Sequence, residues 1–163
     1  MPHEFKIGRD KTRRLVDPEL VAQIDRDFAQ ELMCSQITFR YGAKKLGYDE
    51  DMAMLAASGF GWGMQCGERC GAVTGALMSL GLKFGYRDFS EFSNYEVLKE
   101  KQAEFDRRFK EQFGSLTCAG ILKANYADPD QRKTIYDEQR YRGCSVLTAY
   151  ACRLLDELMD DGE

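Results

Sequence analysis

Histidine is almost missing from this chain: of 163 residues only His3 is one. That scarcity excludes whole classes of chemistry from the body of the protein. It leaves no Ser-His-Asp or Cys-His catalytic pair, no histidine-rich zinc site and no two-histidine haem ligation. Metal chemistry, where present, must rest on cysteine sulfur. Long apolar runs are missing too. The best candidate, AVTGALMSLGL, is shorter than the ~20 residues a membrane-spanning helix needs. The opening residues, MPHEFKIGRDKTRR, hold no apolar segment of the secretory kind, so a cytoplasmic location is expected. An excess of positive charge is also lacking. The net charge of −4 argues against nucleic acid as a partner. No strand-type alternation, internal repeat or low-complexity segment is present.

What the chain does have is six cysteines. Thiols stay reduced in a cytoplasm, so these read as metal ligands or redox groups before structural disulfides. Four stand in glycine-rich or polar settings: Cys34 in MCSQ, Cys70 in ERCGAVTG, Cys118 in SLTCAG and Cys144 in RGCSVL. The last three fall where helices are expected to begin. A helix N-terminus carries partial positive charge and free N–H donors, and both stabilise a thiolate. Cys152 lies in an apolar stripe and reads as core packing. Cys66 forms a C-x3-C pair with Cys70, a spacing of neither zinc ribbons nor thioredoxins. That pair could chelate a metal or close a disulfide.

The pattern is helical almost throughout. It predicts an all-α, single-domain multi-helix bundle with a glycine-rich loop preceding a cysteine-bearing helix. Residues 1–16 are expected as a flexible basic arm, with Lys6, Arg9, Lys11, Arg13 and Arg14, and residues 17–163 as the helical redox domain. Asp17 and Pro18 cap and open the first helix. Helices are expected over 36–46, ended by Gly47, and over 50–57, capped by Asp49. The stretch GFGWGMQCGERCG holds five glycines in thirteen positions and must be a loop with special backbone angles. A helix over 69–80 closes at Gly81. A long helix over 90–113 buries Phe92, Tyr95, Leu98, Phe105 and Phe109. Another runs from Cys118 to about residue 126. Asp128 and Pro129 begin a polar stretch. The last helix starts at Cys144, and its acidic end (Asp156, Glu157, Asp160, Asp161) opposes the helix dipole and predicts fraying.

The GFGWG loop is no dinucleotide fingerprint, because its third glycine is misplaced and no strand precedes it. It also lacks the Lys-Ser/Thr of a P-loop. Gly67, Gly71 and Gly75, spaced by four, form a bare helix face. Such a face packs closely on another helix. It also lets a bulky inorganic cofactor approach the backbone at Cys70, or a second copy pack in a homodimer.

The block GERCGAVTGALMSLGLKFG makes the chain recognisable. It resembles the redox-active family named for the pattern C-GCAxxG-C-C. Cys34 supplies the first cysteine, Gly67-x-x-Cys70-Gly71-Ala72-x-x-Gly75 the central block, then Cys118 and Cys144. The resemblance runs from about residue 20 to the end. It implies a small helical cytoplasmic protein with four family cysteines. Related domains occur attached to electron-transfer modules, which favours iron–sulfur chemistry. The chain departs from the family twice. Glu31-Leu32-Met33 replaces a common Gly-Tyr-Asn turn, which sets Cys34 within a helix instead of at its start. The additional Cys66 could replace a family ligand.

The leading expectation is an iron–sulfur cluster, 2Fe–2S favoured, on Cys34, Cys70, Cys118 and Cys144. The protein would then be an electron carrier or redox sensor serving a redox partner protein, rather than a catalyst with its own substrate. The same four thiolates could hold zinc. One alternative is a metal-free thiol/disulfide oxidoreductase, in which Cys70 attacks and Cys66 or another family cysteine resolves. Another is a helical interaction domain with incidental cysteines.

Overall fold

A computed structural model describes residues 12–160. Lys6, Arg9, Lys11 and Asp161 lie outside the described residues. The expected arm does not extend to residue 16. Residues 13–15 form one 3-10 turn, Thr12 and Val16 are buried, and Gln112 Nε2 donates to Thr12 Oγ1 at 2.6 Å. Arg153 donates to the Leu15 carbonyl. These contacts fasten residues 12–16 to the helical body.

Eight α-helices follow among the described residues. Helix α1 (Pro18–Ala29) starts as the sequence predicts, with Asp17 accepting from the Glu19 amide at 2.9 Å. Helix α2 is Cys34–Leu46, closed by Gly47 at φ 78°. Helix α3 (Glu50–Ala57) is capped by Asp49, which accepts from the Met52 amide at 2.9 Å. Helix α4 (Gly71–Phe84) passes through Gly81, the expected stop, and ends at Gly85. Gly81 keeps a helical backbone instead of the left-handed turn by which glycine commonly closes a helix.

Helix α5 is Asn94–Phe113, preceded by a separate 3-10 turn at Phe89–Glu91. Its buried stripe is shorter than expected. Phe105 and Phe109 are fully buried, but Phe92 and Tyr95 are 44% and 36% exposed. Those two rings stack on each other at 5.5 Å and meet Tyr86 edge-on. Helix α6 is only Cys118–Leu122, ended by Lys123 at φ 56°. Helix α7 (Pro129–Asp137) occupies the polar stretch, with Asp128 accepting from the Asp130 and Gln131 amides. Helix α8 is Cys144–Asp160.

Helix α8 is the centre of the bundle and packs against α1, α2, α4 and α5. Residues 145–152 of α8 are all buried, as expected for a helix enclosed by others. Its acidic end does not fray within the described residues. Tyr41 donates to Asp156 at 2.7 Å, Lys45 lies 3.2 Å from Asp156, and Arg108 and Arg153 pair with Glu157. Lys83 donates to the Met159 carbonyl. Lys45, Lys83 and Arg108 of neighbouring helices, with Arg153 of α8 itself, thus supply the positive charge that the last turn of α8 lacks. Among the described residues there is no strand beyond one antiparallel bridge, Arg69 with Thr117. No described helix is long and apolar enough to cross a membrane.

Burial predicts the cost of truncation. Phe105→Ala should lose about 3–5 kcal/mol of stability in urea unfolding followed by circular dichroism. Phe89→Ala, at an 87% exposed ring, should change it by less than about 0.5 kcal/mol.

Candidate functional site

Each cysteine of the ordered set stands at a helix N-terminus. Cys34, Cys118 and Cys144 are the first residues of α2, α6 and α8, and Cys70 is the N-cap of α4. The expectation for Cys34 is corrected: it opens its helix. The chain breaks after α1 because Glu31 turns left-handed at φ 65°, while the Gln30 and Leu32 amides both donate to the Asp27 carbonyl. Gln36 Oε1 then accepts from the Met33 amide at 2.9 Å and restarts the helix.

The bridge between the glycine loop and α6 positions two cysteines together. The Cys70 amide donates to the Leu116 carbonyl at 2.9 Å, and the Cys118 amide donates to the Glu68 carbonyl at 2.7 Å. The loop itself holds four successive left-handed residues: Trp62, Gly63, Met64 and Gln65, with φ between 54° and 64°. Three of them are not glycine, and each costs roughly 1–2 kcal/mol in this conformation. The Glu68 amide holds the turn by donating to the Gly63 carbonyl at 2.9 Å, and Trp62 stacks on Tyr126 at 4.5 Å. A Cβ at Gly63 would lie 2.9 Å from Cys118 Cβ.

Cys34, Cys70, Cys118 and Cys144 line a single cavity of about 490 Å³. Trp62, Leu32, Ile121 and Leu147 supply apolar wall, with Tyr136, Tyr141, Arg142, Asp25 and Glu31 also bordering it. Sequence reasoning missed most of this lining. Arg142 and Met33 adjoin family cysteines in sequence, but nothing local marks Tyr136, which α7 carries back from beyond α6.

Cys34 and Cys70 are paired across the cavity wall. The neighbouring Cys70 thiol holds Cys34 below the ordinary thiol range, against the opposing effect of burial. The amides of Ser35, Ala72 and Gly71 add to the lowering. Cys70 is correspondingly pushed well up, first by the adjacent Cys34 sulfur, then by burial and by the charges of the cavity cysteines. Burial, with a smaller effect of Cys34, pushes Cys118 up to about 12. Of this pair, Cys34 is the lowered thiol and Cys70 the raised one.

Among the described residues, no three His, Cys, Asp or Glu side chains gather as the ligand set of one ion. The four thiols border a space instead of meeting at a point. Of the three motif glycines, Gly71 borders that space, and a Cβ there would lie 2.5 Å from Cys34 Sγ. Gly75 serves helix packing, since its Cβ would meet the Ser35 carbonyl at 2.7 Å. Gly67 turns the loop at φ 74° beside Asn125. Cys66 is exposed, does not border the cavity and faces the Gly63 carbonyl at 3.4 Å. Cys152 is buried in α8, and burial raises its pKa, consistent with packing.

The electrostatics predict an order of reactivity. Among the four cavity cysteines, Cys34 should alkylate first with iodoacetamide as pH rises, because its thiolate forms below the ordinary thiol range. Cys118 should still be gaining reactivity up to about pH 12. Gly71→Ala should force Cys34 away from Cys70, abolish that early reactivity and cost about 1–3 kcal/mol by overpacking, read from thermal unfolding.

No curated protein and no solved structure matches this chain. The family model described as "Putative redox-active protein (C_GCAxxG_C_C)" matches residues 32–158, a span that includes all four cavity cysteines. With most of its length matched and the motif cysteines brought to one cavity, the chain belongs to the C_GCAxxG_C_C family.

Proposed function

We propose that the protein holds an iron–sulfur cluster, 2Fe–2S, through Cys34, Cys70, Cys118 and Cys144, and works as an electron carrier or redox sensor in a reducing cytoplasm. The observation that carries this reading is selective convergence. All four family cysteines border one cavity, while Cys66 and Cys152 do not.

The donor set suits the group. It is sulfur alone, the ligand type of such clusters. The four thiolates would hold the irons of such a cluster, and a single zinc ion is the other group they could take. Bound there, the cluster would supply one-electron transfer. The chain's own residues do the rest. Four helix N-termini orient the sulfurs and favour their charge. The amides of Ser35, Gly71 and Ala72 donate to Cys34, and such hydrogen bonds favour the reduced form. Trp62, Leu32, Ile121 and Leu147 limit water at the sulfurs. A redox partner protein would exchange the electron.

Protein purified without oxygen should be coloured and carry iron and sulfide in equal amounts. Single serine variants of Cys34, Cys70, Cys118 and Cys144 should each lose most of the iron and colour, while Cys66→Ser keeps both. A colourless, iron-free wild type would overturn the proposal, and dependence on Cys66 would overturn the ligand set.

A further inference from the structure

The cluster reading uses Cys34 as one ligand among four, yet the structure gives it a closer relation to Cys70 than to the other two. Cys34 Sγ lies against Gly71, the residue that follows Cys70, and both cysteines border the same cavity. The two differ in access. Both border the cavity, but Cys34 is half-buried and Cys70 is 7% exposed. Gly71 makes the contact possible, since any Cβ there would strike Cys34 Sγ. A more exposed cysteine beside a buried one, both on one cavity, is an arrangement that suits disulfide exchange: one group to attack, one to resolve.

We propose that Cys34 and Cys70 form a thiol–disulfide exchange site, which takes low-molecular-weight disulfides and closes a Cys34–Cys70 disulfide in the cluster-free protein. The Cys34 thiolate attacks one sulfur of the small disulfide, whose S–S bond breaks and releases a thiolate. That thiolate takes the proton of Cys70. Cys70 attacks the Cys34 sulfur of the mixed disulfide, and the second small thiolate leaves. The cysteine pair gives up two electrons and the small disulfide gains them. The cavity gives the reagent its way to Cys34; the exposed Cys66 lies outside it. The consequence rests on the four-cysteine reading: with two of four ligands oxidised, loading of the cluster is blocked until a thiol reductant reopens the pair.

The test uses the reduced, metal-free full-length protein with oxidised glutathione as probe. After free thiols are blocked, peptide mapping by mass spectrometry locates every disulfide and adduct. The wild type should lose two of its six free thiols to a Cys34–Cys70 link. A Cys66 adduct, removed in Cys66→Ser, should leave that link unchanged. Cys70→Ser should stop at a glutathione adduct on Cys34, with circular dichroism verifying its fold. A different pairing, or a Cys34 that stays free in the wild type, overturns the site. Iron and sulfide reconstitution is a separate arm. Oxidised protein should load none until treated with dithiothreitol, and equal loading of oxidised and reduced protein overturns the block. Failure of the reduced protein to load would sink the cluster reading, and the disulfide map would still decide the exchange site.

Discussion

The close approach of α2 and α4 governs the site. Where α4 begins, its face carries no side chain at Gly71 or Gly75, so α2 can lie against its backbone. A methyl group at either position would collide with Cys34 Sγ or the Ser35 carbonyl at 2.5 and 2.7 Å. The seam continues at Gly42, where a Cβ would lie 2.1 Å from Ser79 Oγ. Ser79 turns that hydroxyl back to the Gly75 carbonyl at 2.8 Å, and Ser35 donates to the Ala57 carbonyl at 2.8 Å. Polar groups in this tight seam are thus satisfied without widening it. Two helix N-termini are brought side by side, and Cys34 receives donors from both.

The glycine loop has a different part. A run of left-handed residues is unfavourable for an L-amino-acid chain, and backbone strain of this kind persists only where surroundings impose it. Here the surroundings are the Trp62–Tyr126 stack and the bridge between Arg69 and Thr117. The bridge gives Cys70 and Cys118 a common support, because the amide of each is bound to the segment that leads into the other. Helix α8 supplies the fourth cysteine from the most buried element of the fold. Its acidic end is held by Lys45, Arg108 and Arg153 from the surrounding elements and from α8 itself.

Much of the fold was legible because local signals set it. Asp17, Asp49 and Asp128 each cap the helix that follows, and Cys118 and Cys144 open theirs. The misses occurred where tertiary contacts override a local rule. Gly81 is a common stop signal, but α4 continues through it. Phe92 and Tyr95 share the helical spacing of Phe105 and Phe109, yet the bundle leaves them at the surface, where they cluster with Tyr86. Cys34 opens its helix through a left-handed residue, Glu31, that composition gives no reason to expect. In the site, order and setting identified the four cysteines. Their sharing of one cavity, and the pairing of Cys34 with Cys70, depend on which helices cross, and no spacing in the sequence encodes that.

The central claim is that four sulfurs from four helix starts serve one centre. Iron K-edge X-ray absorption on the protein as purified without oxygen addresses it directly. The account predicts a coordination shell of sulfur only, with a second iron as the next neighbour. Nitrogen or oxygen ligands, or an isolated iron with no metal neighbour, would contradict it.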